Sequence, residues 1–142
     1  MALAAAQVID VIAAFLVPVS LTGGRVITDR LTPIAEDQMP AWRVIAGDEP
    51  FRPATLDGVE EHQLTVDLRG ICRAASGLDD LMNNLAAAAL TAVHAAPIDK
   101  VQLDTEGIGR GMATEGESAV GVVTVRLRAT FFVLKTAPET LF

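Results

Sequence analysis

Hydrophobic and polar residues alternate along residues 61–74. Glu61, Gln63, Thr65, Asp67, Arg69 and Arg73 fall on one side; Leu64, Val66, Leu68 and Cys72 fall on the other, with His62 at the edge. A period of two over this length predicts a half-buried antiparallel strand, and Gly70 within it predicts a bend or bulge. The same pattern returns near the C-terminus, over residues 119–134. There Val123, Val125, Leu127, Ala129, Phe131 and Val133 share one face, and Thr124, Arg126, Arg128 and Thr130 share the other. Shorter strands are expected at residues 25–29, at 41–46 after Pro40, and at 101–105.

Helical spacing marks two further segments. Residues 2–17 are apolar almost all round, with Gln7 and Asp10 the only polar interruptions. A helix of that kind is buried on more than one side, which a small domain alone rarely provides. From Ser76, an expected N-cap with Asp79 as the reciprocal acid of a capping box, a second helix begins. Leu78, Leu81, Met82, Leu85, Ala89 and Ala92 form its apolar face, Asn83, Asn84 and Thr91 lie elsewhere, and Pro97 ends it. Residues 47–59 hold two prolines and two glycines and read as a loop. Residues 106–118 hold four glycines and three glutamates and read as a long link, the kind usually tied to function or flexibility. A short tail, 135–142, is expected to fray.

The predicted order is α-β-β-β-α-β-β. We expect one α+β domain over residues 1–142, with a mainly antiparallel four- to five-stranded sheet and both helices packed on its apolar face. The chain is long enough for one core, but only 4% of it is aromatic, so Ala, Val and Leu must fill the interior. With 51% hydrophobic residues, some apolar surface is expected to be covered by another chain. The net charge of −7 disfavours nucleic-acid binding, and the nine arginines and two lysines form no phosphate-binding stripe. The N-terminal apolar run has no basic residue before Arg25 and contains Asp10, so it fits neither a signal peptide nor a membrane span. No membrane role is expected.

Candidate chemistry is sparse. Cys72, the single cysteine, lies in an apolar alternation and reads as a buried thiol. His62 and His94 sit on different elements, without the spacing of a metal site or a nucleophile–base pair. The run 107–111 lacks the flanking strand–helix context of a nucleotide loop. Asp79 and Asp80 are the one paired carboxylate. The helix dipole alone explains acids at a helix start, and a divalent cation between subunits is the functional alternative. No cofactor and no enzymatic activity are expected.

The order of elements, more than any motif, resembles the tail terminator proteins of long-tailed phages, the lambda-like family. Matching segments are Met39-Pro40-Ala41-Trp42-Arg43-Val44, the alternating strand to Ala74, the Leu78-Asp79-Asp80-Leu81 helix start running to Leu85, and the final strand at 120–134. The resemblance spans nearly the whole chain and is one of pattern; the first helix is more alanine-rich than in some relatives. It implies a homohexameric ring in the virion, assembled in the host cytoplasm. Such a ring caps the tail tube, binds the tube protein and a head connector protein, and lets DNA pass through its bore without specific binding.

Six copies would carry six times −7, or −42 formal charges. Arg69, Arg73, Arg126 and Arg128 are therefore expected in ion pairs between subunits. Phe15 on the first helix, Phe51 and Arg52 in the first loop, and Arg110 and Glu115 in the second are the other expected contact residues. Two alternatives remain open at this point: another head–tail connector protein, and a homo-oligomeric α/β domain that binds a small ligand between subunits.

Overall fold

A computed structural model describes residues 3–115 and 118–142, with side chains described for 3–112 and 119–142. The chain runs α1 (Ala4–Leu16), β1 (Val26–Ile27), β2 (Ala41–Ala46), β3 (Phe51–Pro53), β4 (Val59–Ala74), α2 (Leu78–Val93), β5 (Val101–Glu115), β6 (Ser118–Leu134) and β7 (Ala137–Leu141). The α+β expectation holds. The sheet, however, has seven strands, and it is mixed. Its main order is β1-β2-β4-β6-β5, with β3 beside β4 and β7 beside β6. Among the described residues only β1 and β2 pair in parallel, and the other ladders are antiparallel.

The spine is the β4–β6 ladder, in unbroken register from Val59↔Leu134 to Ala74↔Ala119. Because side chains alternate across a strand, this register puts Leu64, Val66, Leu68 and Cys72 on one face with Val123, Val125, Leu127, Ala129 and Phe131. Val8, Ile12 and Leu16 of α1, and Met82, Leu85, Ala89 and Val93 of α2, complete the same cluster. Burying each large side chain contributes about 1.5–3 kcal/mol. Both helices therefore join one core with the apolar face of the sheet.

Four expectations need correction. The first loop contains β3, tied to β4 by Phe51↔His62 and Pro53↔Glu60; an edge strand tolerates the proline. The link expected at 106–118 is strand as far as Glu115. Its first part continues β5, which pairs with β6 as far as Glu115↔Ser118, while residues 116–117 lie outside the described residues. The tail forms β7, with Leu141 opposite Val133. Lastly, Ser76 and Asp79 make no capping box: the cap position is Gly77, at φ 71°, with no side-chain cap bond.

Gly70 also has a different role from the one expected. The register passes through it undisturbed, with Trp42 on one side and Val123 on the other. A Cβ there would lie 3.0 Å from Trp42 Cζ3 and 3.1 Å from Val123 Cγ1. Gly70 makes room for the indole of Trp42, which is fully buried. The register shifts lie instead in the β5–β6 ladder, between Thr105 and Gly107, and in the β6–β7 ladder, between Val133 and Leu134.

Candidate functional site

The fold leaves an apolar surface uncovered between α1 and α2. α1 buries Val8, Ile12 and Leu16, yet it is apolar on its other sides too, and Val11 stays exposed. Beyond α1 the chain turns back through Pro18 to Leu21. Together with the outer side of α2 it encloses a groove of about 610 Å³. Phe15, Pro18 and Leu21 form one wall; Ala88, Thr91 and Ala92 form the other. No charged side chain lines it. Phe15, an expected contact residue, lines this groove and is half-buried.

The opposite face of the sheet carries the charges. Asp67 accepts two hydrogen bonds from Arg126, from Nε at 2.9 Å and Nη2 at 3.2 Å. This bond and the charge of Asp67 hold the Arg126 guanidinium above its already high value. Arg128 Nε lies 3.3 Å from Glu106, and Arg73 pairs with Glu36. Three of the four arginines expected between subunits thus have partners in their own chain. Only Arg69, exposed on β4, has none among the described residues. Asp67, Arg69, Arg126 and Glu106 do come together, around a polar cleft bordered by Gly107 and Gly109.

The remaining candidates are scattered. Arg52 bonds Glu61 at 2.9 Å and holds that carboxyl below the usual range. Phe51, largely exposed, stacks on His62 with ring centroids 5.1 Å apart. Arg110 reaches across to α2 and donates to Asn83 Oδ1 at 2.9 Å. The side chain of Glu115 lies outside the described residues. Asp79 and Asp80 are exposed, and no group of three or more His, Cys, Asp or Glu among the described residues is placed to hold a metal.

The structure also brings forward residues that sequence reasoning placed elsewhere. His62 is not a strand-edge histidine. It is buried between Phe51 and Phe131, with Nδ1 3.2 Å from Glu49 Oε2 and Nε2 3.9 Å from Glu60, too far for a hydrogen bond. This cluster fastens β3 and the segment before it onto β4. His94 Nε2 lies 2.9 Å from Thr105 Oγ1 on the surface, with no third group holding it among the described residues. Cys72 is buried as expected, and burial pushes its thiol up. Leu31 and Leu56 stand almost wholly in solvent.

No helix among the described residues is long and apolar enough to cross a membrane. No family model matches the chain, and no curated protein matches it significantly.

Proposed function

We propose that this chain is a ring-forming structural protein of a tailed phage, acting as a tail terminator. The observation that carries the reading is the uncharged apolar groove between α1 and α2. It is a concave surface on an acidic chain, without the convergent charged groups of a catalytic site. In this reading the groove belongs to a contact between copies, and six copies close a ring. The ring stops tube growth by covering the last tube subunits, and its other face docks the head connector. The tight connection at residues 54–58, which exposes Leu56, is the segment we assign to those partners. DNA passes through the bore without specific binding, in keeping with the net charge of −7. The protein acts in the virion, at the head-proximal end of the tail, after assembly in the host cytoplasm.

One observation favours a second reading. A groove of about 610 Å³ is within the size range of small-molecule sites, so a ligand held between subunits fits the same surface. Negative-stain electron microscopy of the purified protein separates the two. A sixfold ring with an open bore, together with overlong or headless tails in extracts lacking the protein, supports the terminator. A compact dimer stabilised against heat by a small molecule supports the ligand-binding domain.

A further inference from the structure

We infer that copies of this chain join head to tail, with Leu31 of one copy seated in the α1–α2 groove of the next. The inference rests on the ring reading and names the contact that would build it. Leu31 is 88% exposed, in the connection between β1 and β2. An exposed leucine on a slack loop means little, but this one is clamped. Its backbone N–H donates to Asp29 Oδ1 at 2.8 Å, and the Thr32 hydroxyl donates to Asp29 Oδ2 at 2.9 Å. From below, Arg43 of β2 donates to the carbonyls of Asp29 and Thr32, on either side of Leu31. Arg30 donates to the carbonyl of Ala46. Arg43 is itself only 9% exposed, so a charge that is costly to bury is used to fix the loop backbone. The result is an apolar side chain presented to water from a backbone fixed by hydrogen bonds, the preorganised form of an interface anchor.

The groove matches it in polarity and offers room for it. Its α2 wall is built of small residues, Ala88, Thr91 and Ala92, which leave a hollow for a branched side chain. Residues 31–35, Leu-Thr-Pro-Ile-Ala, carry no charge, and neither does the groove. Between copies that each carry −7, two neutral patches are where approach is least opposed. Knob and hollow share no residue. One copy can therefore donate and accept at once, and such a heterologous contact closes a ring when its rotation divides the full turn, whereas a twofold contact stops at a dimer.

The test uses two full-length surface variants, Leu31→Asp and Thr91→Arg, the second placing a charge in the groove. Analytical ultracentrifugation at tens of micromolar reads the mass of each, with circular dichroism to show that both are folded. Wild type should form rings. Each variant alone should be monomeric, its contact weakened by about 30-fold or more, the loss that marks a hot spot. Mixed, they should form a 1:1 dimer, because Leu31 of the Thr91→Arg copy still meets an intact groove in the Leu31→Asp copy. Rings that persist in either variant would overturn this contact while leaving the ring reading standing. So would a mixture that stays monomeric while wild type forms rings. Wild type that is monomeric, with tails of normal length in its absence, would overturn both.

Discussion

Gly70 offers a sharp test of the packing described above. In Gly70→Ala the new methyl would meet Trp42 on one side and Val123 on the other, at 3.0–3.1 Å. Both neighbours are fully buried, so neither can swing into solvent to relieve the contact. Overpacking a filled core costs about 1–3 kcal/mol. The loss of backbone freedom in the unfolded chain returns only about 0.4–1 kcal/mol. A net loss of about 1–2 kcal/mol corresponds to a fall in Tm of roughly 3–8 °C for a chain of this size. Trp42 is the only tryptophan, so its emission during heating reports both the transition and the environment of the strained ring. Gly109→Ala is the internal control. Nothing lies within 4 Å of its Cβ position, and its φ is not in the positive range. The same substitution there should stabilise by about 0.4–1 kcal/mol. Protein concentration must be matched, since association shifts Tm. An unchanged or higher Tm in Gly70→Ala would refute the packing role assigned to this glycine.

Three further outcomes follow from the bonded carboxylates, the thiol and the sheet face. The Glu61 carboxyl is held low by Arg52, and that of Asp29 by the Leu31 N–H and the Thr32 hydroxyl. Groups lowered on folding add stability above their unfolded values, near 4.5 for Glu and 3.8 for Asp, and lose it as pH falls through the folded ones. Glu61→Gln should therefore flatten the acid limb of a Tm–pH profile, and an unaltered limb would exclude the Arg52 contact as its source. Cys72 is closed to solvent and its thiol is pushed up by burial, so thiol-specific dye at pH 8 should label it only after denaturation; prompt labelling of native protein would contradict its burial. Asp67→Arg should lower Tm without altering the size of the proposed ring, and the swap Asp67→Arg with Arg126→Asp should restore part of it. A change in ring size would return this pair to the subunit interface.

What was legible in the sequence was whatever a single segment decides for itself. β2 is found residue for residue at Ala41–Ala46, marked by Pro40 at its start, and β4 within two residues, because alternation on a half-buried strand is written locally. The second half of β5 was not legible. There Gly107, Gly109 and Gly111 alternate with Ile108, Arg110 and Met112, a strand pattern in which one face has no side chains. Glycine weakens strand propensity, and the ladder to β6 supplies what propensity lacks. β3 and β7 carry prolines tolerated only because they pair along one side. Phe15 could be picked out because α1 is apolar beyond the needs of one face. Leu31 could not, since its clamp depends on Arg43, a residue that alternation alone places in a strand.

The arginines decide what kind of force can hold copies together. Eight of the nine are engaged within the chain. Arg52, Arg73, Arg126 and Arg128 meet carboxylates. Arg25, Arg30 and Arg43 bond backbone carbonyls, and Arg110 bonds Asn83. With these contacts made inside the chain, each copy keeps its net −7, so the long-range field between copies is repulsive. An interface made of neutral apolar patches then has a signature in salt. Raising NaCl from about 0.05 to 0.5 M shortens the screening length to a few ångströms, which weakens the repulsion and leaves apolar burial intact. Ring formation, followed by mass photometry across that range, should shift to lower protein concentration as salt rises. Rings held by ion pairs between subunits would dissociate instead. That outcome would require the internal pairs on the sheet face to exchange partners on assembly, and would make the sheet face, rather than the groove, the surface that joins the copies.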